Sequence, residues 1–223
     1  MSPRERRVLP IALVGAILAG WPWGAAAQPQ GLSAKIATLA GRAELSRKQG
    51  PWATVALRDE VSEGDAVRTI AGRLTVRTDT GQSVRLGART QIVFATAAAP
   101  GASAPTRLRM DGGLMWVAVA PNSPPSTHIE VRAGPTTITV PGGGTSIGMN
   151  PDGSVTVNVY HGAAQVSGDG WQRTLAQDQA LVVPPVGAPK ETAALKRDKH
   201  DAEWAKWNEQ QDTAGGYGVR IEK

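Results

Sequence analysis

The chain has 223 residues, enough for one domain with a sizeable core, and its 24 Lys plus Arg against 19 Asp plus Glu give a net charge of +5. Arg4, Glu5, Arg6 and Arg7 hold two of those charges, and the remainder shows no Lys/Arg cluster interleaved with aromatics, so no nucleic acid is expected as a partner. There is no cysteine, which removes disulfides, thiolate metal sites and a lipoprotein anchor, and leaves packing as the source of stability.

The chain opens with MSPRERRVLPIALVGAILAGWPWGAAAQPQ: a basic start, an apolar run from Val8 to about Gly20, then Ala25-Ala26-Ala27 before Gln28. This is the pattern of a secretory signal peptide over residues 1–27, cleaved after a small-residue site. The competing reading is an uncleaved anchor, since Val8–Ala27 is about the length that spans a bilayer, and the chain would then meet a membrane only through it. Arg6-Arg7 hints at a twin-arginine signal, although the flanking positions fit poorly. Both readings carry the rest of the chain out of the cytoplasm, and the absence of cysteine suits a bacterial periplasm.

Residues 28–183 are expected to form an all-β domain, with one short strand about every 10 residues between turn signals. RLTVRT (73–78) puts Leu74 and Val76 on one face, DTGQ (79–82) is a tight turn, and SVRLG returns with Val84 and Leu86 inward. Further strand pairs are expected with turns at Asp111-Gly112-Gly113, at Gly134-Pro135 and at NPDG (150–153), after which Val155, Val157 and Val159 share a face. AAAPGASAP (97–105) reads as a small-residue loop. A Pro-rich linker (184–190) closes the β region. ETAALKRDKHDAEWAKWNEQQD (191–212) then reads as an amphipathic helix with His200, Trp204, Trp207 and Gln211 on one face, and 213–223 as a flexible tail.

Chemistry is sparse in this pattern. Gly142-Gly143-Gly144 is followed by a strand and by no Lys, so the glycines are expected to bend a strand rather than cradle a phosphate. His128, His161 and His200 lie far apart in sequence without ligand spacing, and no metal or cofactor is expected. GTSIG echoes a nucleophile elbow around Ser146, but that device needs a helix after the turn. Asp59, Glu60, Glu63 and Asp65 are close enough to suggest a calcium or acid–base site, against which stands a solvated loop between strands. Trp52, Trp116 and Trp171 offer a sugar-stacking platform or, alternatively, ordinary packing.

Laid out in order, several segments resemble the FecR domain family, named for the iron-dicitrate sensor regulator. GPWATVALRDEVSEGDAVRT is similar to its opening strand and Gly-Asp turn, at Trp52, Gly64, Asp65 and Thr69. The hairpin GRLTVRTDTGQSVRLGARTQIVF, the segment LRMDGGLMWVAV, the Gly144-Thr145 step after IEVRAGPTTITV, and VTVNVYHGAAQV with Gly162 follow in the family's order, so that the resemblance covers about 34–183. Three positions depart from the pattern: no Arg precedes Gly144-Thr145, Asp178-Gln179 stands where an Ala-Gly pair is usual, and Gln211 replaces the Arg of the helix that follows the domain in some secreted relatives, where Trp204, Trp207 and Asp212 match.

The resemblance implies a FecR-like β-solenoid or twisted β-sandwich, followed by one C-terminal α-helix. Regulatory members of the family hold a sigma factor through a cytoplasmic region. Only seven residues precede the apolar segment here, so that role is not expected of this chain acting alone. The expectation is a non-enzymatic periplasmic module that scaffolds or relays a signal through a cell-envelope protein partner, with Trp204 and Trp207 as the docking residues, against which stands a helix that packs back on its own β-domain. The alternative is a module that binds peptidoglycan or exopolysaccharide through Trp52, Trp116 and Trp171. A polysaccharide-cleaving enzyme lacks an assembled set of acids and bases.

Overall fold

The structure, a computed structural model, describes residues 33–95, 105–121, 123–124, 127–189, 191–196 and 199–217. The expected signal peptide (1–27), nearly all of the 97–105 loop and the last six residues of the expected tail lie outside the described residues. Among the described residues no helix is long and apolar enough to cross a membrane.

Among the described residues thirteen strands form one sheet, and a single helix follows them. The strands are β1 (Ser33–Ser46), β2 (Trp52–Thr54), β3 (Glu60–Ser62), β4 (Ala66–Thr78), β5 (Ser83–Leu86), β6 (Gln91–Phe94), β7 (Thr106–Val119), β8 (Ile129–Ala133), β9 (Thr136–Met149), β10 (Val155–Gly168), β11 (Trp171–Ala176), β12 (Gln179–Val183) and β13 (Ala193–Ala194); the helix is α1 (Lys199–Gly215). All pairings are antiparallel except β7–β8. The strands therefore do not stack as the parallel coils of a solenoid, and the sandwich is the form the chain takes.

Five strands, β1, β4, β7, β9 and β10, are long and bend midway, so that each contributes one half to each of two layers. In the first layer the order is β13, β12, the start of β10, the end of β9, the end of β7, β5, the end of β4, the start of β1, and β3. In the second it is β11, the end of β10, the start of β9, β8, the start of β7, β6, the start of β4, the end of β1, and β2. Strict alternation aims one set of side chains between the layers. Leu74, Val76, Val84, Leu86, Val117, Ile147 and Val157 from the first layer and Val67, Ile92, Leu108, Val131, Ile138 and Val166 from the second close a single core.

Glycines make the bends possible. Gly41 of β1 faces Gly72 of β4, and Gly143 of β9 faces Gly162 of β10, all four with positive φ. A Cβ on Gly162 would fall 2.9 Å from the Gly143 Cα and still nearer the Gly142 carbonyl oxygen, so the two strands turn the corner in contact at the backbone. The glycine run at 142–144 thus bends a strand, as its sequence context suggested. The expected turn at Asp111-Gly112-Gly113 does not occur: β7 runs on through it and changes layer there. Gly113 suits this passage on two counts: its φ is +97, and a Cβ there would lie 2.5 Å from the Thr90 Cα.

The C-terminal region also differs from expectation. The helix begins at Lys199 rather than at 191, because Ala193 and Ala194 pair with β12 and Leu195 packs against the apolar cluster beneath the helix. Good helix formers are here recruited by tertiary pairing. The tail expected from residue 213 begins inside the helix: α1 continues to Gly215, and Tyr217 is buried, its hydroxyl donating to the Gly81 carbonyl at 2.5 Å.

Candidate functional site

Helix α1 lies on the outer face of the first layer. That face is built by residues that alternate with the core positions: Ser83 and Arg85 on β5, Leu114, Trp116 and Ala118 on β7, and Gly144 and Ser146 on β9. A register shift between Val159 and His161 on β10 lets Tyr160 and His161 both turn outward. Trp116 and Tyr160 stack at 4.6 Å between ring centroids, and with Trp204, Ala205 and Tyr217 they form a second apolar cluster separate from the core.

The docked face of α1 is rotated from the one that the tryptophan spacing suggests. Trp204, Ala205, Asn208 and Asp212 are buried, Trp207 is half-buried at the flank, and Gln211 is exposed. Trp204 keeps 7% of its surface, so in this arrangement it meets the chain's own sheet rather than offering itself to a partner. Its indole Nε1 donates to the Ser146 Oγ at 3.3 Å. Trp207 packs 5.7 Å from Trp204 and receives the Arg73 guanidinium over its ring at 4.9 Å.

The centre of the contact is one carboxylate. Asp212, 1% exposed, accepts from Arg85 Nη1 at 2.5 Å, from Trp116 Nε1 at 3.0 Å and from His161 Nε2 at 2.8 Å. Arg85 is itself 2% exposed and also donates to the Asn208 carbonyl at 3.2 Å. Gly144 leaves the room for this convergence, because a Cβ there would stand 2.7 Å from Asp212 Oδ2 and closer still to His161 Nε2. Because a carboxylate only accepts, His161 donates through Nε2, and among the described residues its buried Nδ1 has no hydrogen-bond partner; nor has the buried Ser83 Oγ on the same face.

Chemically, this is a charge clamp. An Asp–His pair can orient a general base, but here the same carboxylate is shared with Arg85 and Trp116 and lies beneath a helix, and the nearby Ser146 hydroxyl accepts from an indole. Arg85 and Gly144 were not legible as site residues in the sequence, where Arg85 is one outward residue between Val84 and Leu86. Asp212 carried a weak signal in its helix motif.

The remaining candidates are dispersed. Trp116 is fully buried, Trp171 begins β11 at one edge of the second layer, and Trp52 begins β2 at the opposite edge, where Arg68 covers its ring at 4.1 Å. The three tryptophans share no face and form no stacking platform. Of the acidic loop, Asp65 is buried and holds the turn, accepting from Arg47 Nη1 at 3.0 Å, the Lys48 amide at 3.1 Å and the Ser62 amide at 3.0 Å, while Asp59 accepts from the Ala56 amide at 2.8 Å. Among the described residues no group of three or more His, Cys, Asp or Glu could hold a metal.

Residues 65–165 match the model of the family described as FecR protein. This segment is a FecR domain. Two crystal structures of proposed anti-sigma factors from Parabacteroides distasonis ATCC 8503 share its fold, with TM-scores of 0.50 and 0.51 and identities of 17% and 16%. The alignments cover 61% and 62% of this chain and 62% and 64% of theirs, so the chain spans less than two thirds of either. No curated protein matches the sequence. The FecR domain opens at Asp65, the buried turn residue, and it contains Arg85, Trp116, Gly144 and His161. Asp212 lies beyond it. The domain therefore supplies every donor of the clamp, and the segment after it supplies the acceptor.

Proposed function

We propose that the chain is a non-enzymatic FecR-like module of the bacterial periplasm that scaffolds or relays a signal through a cell-envelope protein. The FecR domain over residues 65–165 carries this reading, since the family and the proposed anti-sigma factors that share its fold point to a signalling role that needs a partner. The periplasmic placement is supported by the signal-peptide pattern and by a cysteine-free chain.

An open sheet edge offers one surface for such a partner. β13 pairs only with Gln179 and Ala180, so among the described residues β12 carries no further strand on that side alongside Leu181–Val183. Next to that edge an open groove of about 640 Å³ is lined by Val182, Pro184, Val186 and Ala193, with Val182 57% and Val186 87% exposed. An extended apolar segment of a partner would add there as a strand, with main-chain bonds for affinity and the two valines for side-chain contact.

The test is capture from crosslinked envelopes with the chain from Gln28 tagged at its C-terminus. A specific envelope protein is expected, reduced when Val182 and Val186 are both replaced by Asp. Retention on peptidoglycan or exopolysaccharide with no enriched protein would refute the reading.

A further inference from the structure

We propose that the outer face of the first layer is a receptor for an acidic amphipathic helix supplied in trans by a protein partner, anchored by a single carboxylate, and that α1 is its resident occupant. This rests on the reading of the chain as a protein-binding module.

The donors are the first argument. Arg85 on β5, Trp116 on β7 and His161 on β10 come from three strands of the FecR domain and aim at one point, where Gly144 omits the side chain that would fill it. A site that places a guanidinium, an indole N–H and an imidazole N–H around a pocket of carboxylate size selects for that group, because the Arg85 charge would otherwise be buried without an anion. All of these residues lie inside the domain, whereas the carboxylate that fills the site lies on an element outside it.

The second argument is the chemistry of the seat. Around the anchor lie Trp116, Tyr160, Ala118 and Leu114, an apolar floor that takes the Trp204 indole two helical turns before Asp212. Asn208, one turn before Asp212, presents its carbonyl to Arg85. The matching ligand is a helix with Trp, Asn and Asp at four-residue intervals, and a basic helix or a neutral glycan would leave Arg85 uncompensated. The third argument is that α1 does not use the whole seat: His161 Nδ1 and Ser83 Oγ, both buried on this face, have no hydrogen-bond partner among the described residues. A helix from another protein can therefore match α1's contacts and add to them.

Tethering favours α1. A segment joined by a short connection competes at an effective concentration of about 1 mM, so a free helix of equal intrinsic affinity at about 10 µM displaces roughly one α1 in a hundred. Removing the Asp212 carboxylate from α1 should shift that balance by on the order of a hundredfold or more.

The experiment uses the full chain carrying Asp212→Ala and a fluorophore-labelled peptide of residues 199–217, read by anisotropy. The peptide should bind the Asp212→Ala chain at least tenfold more tightly than it binds the wild-type chain. A peptide itself carrying Asp212→Ala, or a chain carrying both Asp212→Ala and Arg85→Met, should lose that binding. Equal binding to variant and wild-type chains, or equal binding of the two peptides, would overturn the proposal. Near-UV circular dichroism checks that the variant is folded. If it is not, Trp204→Ala, which weakens α1 and keeps the clamp residues, takes its place with the same expectation.

In envelope capture, the Asp212→Ala chain should hold more partner, and excess peptide should release it. A partner retained under saturating peptide refutes this seat while leaving the module reading intact, whereas capture of no protein at all refutes that reading. Heterodimers on mixing Asp212→Ala with Arg85→Met chains, together with a dimeric wild-type chain, would make a second copy the occupant and overturn the assignment to another protein.

Discussion

Arg85 and Asp212 stand 127 positions apart in the chain and meet at 2.5 Å, Nη1 to Oδ1, with both side chains buried. The pair ties the last helix to the middle of the sheet. Burying two charges costs almost as much as their attraction returns, so such a pair is a weak source of net stability and a strong source of penalty when one member is removed. Asp212→Leu should therefore cost about 3–5 kcal/mol, whereas Arg85→Met with Asp212→Leu should cost much less than the sum of the two single changes. Urea denaturation of the four proteins measures this, and hydrogen exchange in α1 reports whether the loss begins with release of the helix. As an external control, Glu60→Ala removes a 3.8 Å pair with Lys35 between exposed side chains and should change stability by no more than about 1 kcal/mol. Additive effects of the Arg85 and Asp212 changes would refute the coupling.

Gly144 is the position at which the sheet makes room for the clamp. Gly144→Ala would place a methyl group against His161 Nε2 and 2.7 Å from Asp212 Oδ2, an overpacking expected to cost about 1–3 kcal/mol. Gly148 lies on the same strand and face, yet a Cβ there would meet Leu114 and Thr156 at the ordinary distances of 3.7 and 4.0 Å. Gly148→Ala should thus leave stability within about 1 kcal/mol of the wild type. Thermal unfolding of both variants, with trypsin cleavage at the exposed Lys206 of α1 as a probe of docking, distinguishes them. Equal effects would show that the Gly144 space is not needed.

The strands were legible in the sequence because a half-buried strand writes its own pattern: Leu74 and Val76, Val84 and Leu86, and Val155, Val157 and Val159 all face the core as their alternation implies. The glycine bend at 142–144 was legible for the same reason, since strand pattern continues on both sides of it. At Asp111-Gly112-Gly113 the same cue misled, because a layer change inside one strand and a turn between two strands place glycine alike. The helix face misled too: Trp204 and Trp207 suggest an apolar stripe, but the face that docks is set by Asp212, whose partners come from β5, β7 and β10. No local periodicity records an ion pair closed by tertiary folding. Its donors look in sequence like any outward-facing strand residues.

The paired corner glycines should be harder to replace than glycines with positive φ elsewhere. Gly162 has φ +80 and backs onto the backbone of Gly142 and Gly143, so Gly162→Ala incurs both the left-handed penalty and a backbone collision. Gly170, in the turn between β10 and β11, has φ +69 and nothing within 4 Å of where a Cβ would stand, so Gly170→Ala should cost only the conformational penalty of about 1–2 kcal/mol. Gly162→Ala should exceed that clearly in chemical denaturation. If the two variants lose the same stability, close backbone approach is not what fixes glycine at the corner.

Acid sensitivity should be measurable at Asp152, in the turn between β9 and β10. Its Oδ1 accepts from the Ser154 hydroxyl at 2.7 Å and from the Ser154 amide at 2.9 Å, and these bonds, the hydroxyl first, hold the carboxyl below the usual aspartate range. A depressed folded-state value means that the ionised group favours the fold. Its contribution is complete above the ordinary aspartate range and is lost as pH falls from there through the depressed value. A carbon-detected NMR titration should place the Asp152 midpoint below that of an unperturbed aspartate. Ser154→Ala should move the midpoint part of the way back, because the amide bond remains. Asp152→Asn should remove this residue's share of the acid-side slope in stability without altering the neutral-pH geometry of the clamp, which lies back along β9 beside Gly144. A midpoint at or above the ordinary value in the wild-type chain would show that the turn does not bind its carboxylate in solution.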